Sequence, residues 1–94
     1  MVHFDVLLPV VILREEEYFI AHSPVLDLST SGKSFEEAKK RFEEVVGIFF
    51  EELVNKGTLS KVLGDLGWMK NDKKWVPPTI VSQESESFRL QIPA

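Results

Sequence analysis

The chain has no cysteine, which excludes disulfide bridges and thiol chemistry and is compatible with a reducing compartment. Its two histidines, His3 and His22, fall in no HxH, HxxxH or HExxH spacing, so the sequence offers no histidine framework for zinc. Cations are outnumbered: 11 Lys and Arg face 15 Asp and Glu, for a formal net charge of −4. Nucleic-acid affinity draws on clustered Lys and Arg, so this balance argues against a general phosphate-binding role and suits a partner that is itself basic. The apolar run Val6 to Leu13 is about half the length that crosses a membrane. With no basic flank before it and no small-residue cleavage site after it, it does not read as a signal peptide. The expectation is a cytoplasmic chain without membrane association. Gly57, Gly64 and Gly67 make no phosphate-cradling pattern, and no serine sits in a recognisable nucleophile elbow. No catalytic residue, cofactor site or metal site is expected.

What is present reads as one domain spanning residues 1–94, since no segment has linker composition. Residues 2–14 are rich in β-branched and large apolar side chains and end at the charged cluster Arg14 to Glu17, a strand followed by a turn. Pro9 has no amide hydrogen for a ladder, so this strand is an edge, bulges at Pro9, or is two short pieces. Residues 18–22 suit a second, antiparallel strand. Residues 25–31 alternate as a third, with Leu26 and Leu28 facing one way and Asp27 and Ser29 the other, before Gly32 turns the chain.

A helix signal follows. Ser34 with Glu37 three residues on has the pattern of a capping box. Phe35, Ala38, Phe42, Val45, Val46, Phe49 and Leu53 then fall on one stripe, and the helix runs to Asn55 or Lys56 with Gly57 as its stop. Glu36–Lys40 and Glu37–Arg41 are four-apart pairs in the favourable orientation. Thr58 caps a shorter helix over 59–66, closed by Gly67. Trp68 and Trp75 bracket a polar loop, the Pro77–Pro78 pair marks extended chain, and Phe88, Leu90 and Ile92 alternate with Arg89 and Gln91 as a last strand. The order β-β-β-α-α-β predicts an α+β domain, with a mainly antiparallel sheet of three to four strands and one long and one short helix on one face.

Several of these residues together resemble the N-terminal domain of HicB-like antitoxins. They are Tyr18–Ala21, Ser23–Leu26, Ser31–Gly32 and Ser34–Ala38, followed by a long acidic helix, Leu63–Trp68 and Trp75–Pro78. The resemblance covers most of the chain. It implies a partial ribonuclease-H-like fold, self-association as a homodimer or higher oligomer, and a role in binding and blocking a small basic ribonuclease toxin of the HicA type. Full-length members of that family usually carry a C-terminal DNA-binding module. Residues 69–94 contain two adjacent prolines and no basic recognition helix, so direct DNA binding is not expected.

The ribonuclease-H likeness directs attention to Asp5, Asp27, Asp65 and Asp72, because that chemistry needs acids converging on divalent ions; solvated surface carboxylates are the plainer reading. The more informative residues concern association. Gly47 lies mid-helix on the polar side, where it costs about 1 kcal/mol relative to Ala. Ile48 projects among Glu37, Arg41, Glu44 and Glu52, and Phe50 lies at the margin of the apolar stripe. Trp68 and Trp75 are either satellite core or interface anchors. Gly47, Ile48, Phe50, Trp68 and Trp75 are therefore the interface candidates. The acidic helix face (Glu36, Glu37, Glu43, Glu44, Glu51, Glu52) would steer a basic partner. Two other functions fit the same residues: an orphan oligomeric small-ligand or RNA-binding domain, and a metal-dependent nuclease.

Overall fold

A computed structural model describes residues 5–93. Three strands, β1 (Val11–Glu15), β2 (Tyr18–Ser23) and β3 (Leu28–Gly32), form an antiparallel sheet in the order β1-β2-β3. The long helix α1 (Phe35–Lys56), the short helix α2 (Leu59–Asp65) and a small hairpin of β4 (Met69–Asn71) and β5 (Lys74–Val76) follow. The class is α+β, with a long and a short helix after three antiparallel strands, as the sequence predicts.

Apart from one-residue differences at the ends of the second strand and second helix, the elements differ from expectation at four places, each for a physical reason. The first strand begins at Val11 rather than at residue 2. Pro9 cannot donate to a ladder and stands just before the paired segment, and residues 5–10 form no strand. The part of the expected strand at residues 2–4 lies outside the described residues, as does His3. The third strand begins at Leu28, because Asp27 adopts a left-handed backbone (φ 52°) that ends a turn over residues 24–27. Asp27 is thus a turn residue and not a strand residue. The expected polar loop between the tryptophans is the β4–β5 hairpin, pairing Met69 with Val76 and Asn71 with Lys74 around Asp72, itself at φ 61°. Residues 88–92 form no strand: nothing in the described chain pairs with them, and residues 77–93 hold no helix or strand.

Cross-strand partners share a face, so Ile12, Ala21 and Thr30 point the same way, as do Phe19 with Gly32 and Ser23 with Leu28. This is the face under α1. The other face bears no helix and leaves Leu13 and Tyr18 exposed. Helix α1 packs chiefly on β3 and less on β2. Its entry is tight. Gly32 ends β3 fully under the first helical turn, and a Cβ there would stand 2.6 Å from the Ala38 backbone nitrogen and 3.0 Å from its Cα. Gly32 is required by this close approach and not by a turn.

The helix start follows the expected cap with one change. Ser34 Oγ accepts from the Glu37 amide at 3.1 Å, while Glu37 Oε1 accepts from the amide of Lys33, one residue before the cap. Arg41 pairs with Glu37 at 3.2 Å and donates to the Ser31 carbonyl of β3 at 3.2 Å, tying cap, helix and strand together. Both helices end in Schellman motifs. Gly57 (φ 68°) and Gly67 (φ 88°) let the amides of Thr58 and Trp68 bond back to the carbonyls of Leu53 and Leu63. Thr58 makes no side-chain cap; the preceding Schellman turn delivers the chain into α2 instead.

Two apolar clusters result. One is Ala21, Ala38 and Phe42; the other is Val25, Leu26, Phe50, Leu53, Leu63 and Trp68, and Leu28 and Val46 pack against both. Phe50, expected at the margin of the helix stripe, is inside the second cluster.

Gly32→Ala should destabilise the fold by about 1–3 kcal/mol, as overpacking against rigid backbone does. Urea unfolding checks it: an unchanged midpoint would mean that α1 does not seat on β3 at this distance.

Candidate functional site

No cluster of three or more His, Asp or Glu suited to a metal occurs among the described residues. The four aspartates considered for divalent ions serve elsewhere. Asp27 and Asp72 occupy left-handed turn positions, Asp65 pairs with Lys61 at 3.3 Å on α2, and Asp5 lines a cleft beside the β4–β5 hairpin. His22 sits on β2, half-buried, on the face away from α1, opposite Val11 and Ser29. No described helix is long and apolar enough to cross a membrane.

The exposed surface carries charge of both signs in separate places. The outward side of α1 carries Glu36, Glu44 and Glu51, which make no ion pair among the described residues. Glu37 is taken by Arg41, and Glu52 approaches Lys56 at 4.0 Å. The helix thus keeps a net negative face in which only part of the charge is internally matched, and such a face raises the encounter rate with a basic protein at low salt. Gly47 lies within it. A Cβ at Gly47 would meet nothing within 4 Å, so packing inside this chain gives no reason for a glycine there. Its neighbour Ile48 is 61% exposed, a large apolar side chain among charges. Gly47 and Ile48 together make a low spot and an apolar knob on an acidic helix.

Phe50, Trp68 and Trp75 belong to a different place. Phe50 and Trp68 are buried in the core at 9% and 4% exposure, with rings edge-on at 6.2 Å. The Trp68 indole N–H donates to the Val25 carbonyl at 2.8 Å across 43 residues of sequence. That bond satisfies a carbonyl in the 24–27 turn that would otherwise be buried without a donor. Trp68 is a structural anchor first. Trp75 is half-buried, with Lys70 Nζ 5.9 Å from its ring centroid. Trp75 and Trp68 line, with Lys73, Lys74 and Asp5, a cleft of about 540 Å³ beside the hairpin. The lysines of this hairpin form a small basic patch on an otherwise acidic molecule, a local reversal that net charge conceals.

The five interface candidates therefore divide. Gly47 and Ile48 are on the acidic helix face; Phe50, Trp68 and Trp75 surround the hairpin cleft, and of these only Trp75 offers substantial surface. No protein-family model, curated protein or solved structure matches the chain.

Trp68→Phe removes the donor to Val25 and part of the buried ring, and should cost about 1–3 kcal/mol for the unsatisfied carbonyl, with a further loss for the space left behind. Chemical denaturation reads this directly. A loss under about 0.5 kcal/mol would mean that the Val25 carbonyl is satisfied without the indole.

Proposed function

We propose that the protein is a non-enzymatic, cytoplasmic binding module of the antitoxin type that covers the active face of a small basic HicA-like ribonuclease. The observation that carries the reading is the outward face of α1, where Glu44 and Glu51, without an ion pair among the described residues, flank the exposed Gly47–Ile48 step and Glu36 extends the acidic face toward the helix start. Carboxylates draw in a cationic partner, and Ile48 supplies the desolvated contact that holds it. Gly47 lets the partner approach the helix backbone closely. The resemblance to HicB-like antitoxins in residues 18–38 and 63–78 supports the same conclusion. Occlusion needs no chemistry from this protein.

A second reading is favoured by the hairpin cleft. A half-buried tryptophan beside Lys70, Lys73 and Lys74 is suited to stacking on a planar group while holding a negative charge. An orphan oligomeric domain binding a small anionic ligand or RNA would use this cleft and leave the helix face idle.

Purification of the tagged chain from its native host separates the two. The antitoxin reading predicts a small basic protein in stoichiometric amount whose RNA cleavage stops on titration with this chain. It also predicts that Ile48→Asp weakens the complex at least tenfold and that raised salt slows association. Recovery of the chain without such a protein, or with one whose cleavage it does not inhibit, would overturn that reading.

A further inference from the structure

Helix α1 lies over β3 and β2, which leaves the flank above β1 open. Along that flank runs a groove of about 680 Å³ lined by Val10 and Ile12 on the strand side and Phe35, Phe42 and Val46 on the helix side. Val10 and Phe35 are 43% and 46% exposed. β1 is also an outer strand of the sheet, and no backbone hydrogen bond outside its ladder with β2 reaches it among the described residues. Half of its backbone groups therefore point outward unpaired, which is the condition under which a sheet accepts another strand. Groove and open edge are adjacent. A strand laid beside β1 would close both if every second side chain were apolar and faced α1.

The chain carries a segment with that alternation, unpaired among the described residues. Phe88, Leu90 and Ile92 are 74%, 77% and 81% exposed and alternate with Arg89 and Gln91. Residues 88–92 match the five-residue length of β1. Pro77 to Ile80 line a cleft together with Leu7 to Pro9, just before β1, and beyond them every described residue is exposed. The arm leaves the body. The molecule measures 54 × 29 × 23 Å with a radius of gyration of 16.3 Å, where a globular chain of this length has about 12 Å. Its accessible surface is 8055 Å², against about 5,500 Å² for a folded monomer of 10.8 kDa. The excess, roughly 2,500 Å² per chain, is more than the about 800 Å² that each partner of a stable dimer buries.

We propose that residues 88–92 of one copy add as a strand to the β1 edge of a second copy, with Phe88, Leu90 and Ile92 filling the groove between β1 and α1. Reciprocal exchange closes a two-fold dimer in which each copy gives one arm and receives one. An arm that projects from its own body is placed to meet another copy, and the polar stretch Ser82 to Ser87 spans the gap. The contact lies on the groove side of α1, away from Gly47 and Ile48, and does not rest on the antitoxin reading.

Light scattering coupled to gel filtration tests it on the full chain. Wild type should elute at twice the 10.8 kDa chain mass. Phe88→Asp and Leu90→Asp, each on an arm that contributes nothing to its own core, should give folded monomers with unchanged far-ultraviolet circular dichroism. A wild-type dimer that both variants leave intact would overturn the proposal. So would a monomeric wild type, including one whose 88–92 amides resist hydrogen exchange because the arm folds back onto its own β1.

Discussion

The distance between the end of β3 and the first turn of α1 governs the arrangement. With no side chain on Gly32, the Ala38 backbone comes close enough that an added Cβ would overlap it. Ala38 and Ala21, both fully buried, keep the layers close along the same line, and Phe42 fills the space beside them. The Ser34 cap and the Arg41 bridge to Glu37 and Ser31 then fix the helix's direction. A helix held this far toward β3 cannot also cover β1. The open flank above β1 is thus a consequence of the close seat at Gly32, and the exposure of Val10 and Phe35 follows from it.

The second constraint acts at the other end of α1. Schellman turns at Gly57 and Gly67 reverse the chain twice in a short space and bring Trp68 down against Phe50 and Leu53. Its indole reaches the Val25 carbonyl, so the 24–27 turn, α1, α2 and the hairpin share one cluster. Leu28 and Val46 join this cluster to the one under Gly32. The outward face of α1 is left to solvent, where its carboxylates and Ile48 face whatever approaches.

Local signals in the sequence were legible where local physics decides. The Ser34 cap, the Gly57 stop and the 3.6-residue stripe place α1 at its observed limits, because caps and periodicity are written within a few residues of where they act. The start of the third strand is less legible. Residues 25–31 alternate acceptably, but Asp27 takes a left-handed conformation, and Val25 and Leu26 enter the core from a turn. Phe50 looked marginal on a one-sided helix because the cover on that side comes from α2 and Trp68, which are not visible in α1's own pattern. Gly32 read as a turn residue, although its neighbour in space is Ala38. The tryptophan pair concealed a hairpin whose Asp72 turn lacks the usual glycine. Residues 88–92 have the alternation of a strand, but a strand exists only with a partner, and the described chain offers them none. The candidate site divides the same way: Gly47 and Ile48 are exposed as helical spacing requires, whereas the burial of Trp68 depends on a contact 43 residues away.

What occupies the flank that α1 leaves open decides how two copies meet. The direct measurement is isotope-filtered nuclear Overhauser spectroscopy on a mixture of labelled and unlabelled full-length chains. It should show contacts between the Phe88 and Leu90 side chains of one copy and the Phe42 and Val46 side chains of the other. Contacts between those residues only within one chain, or none at all, would contradict it.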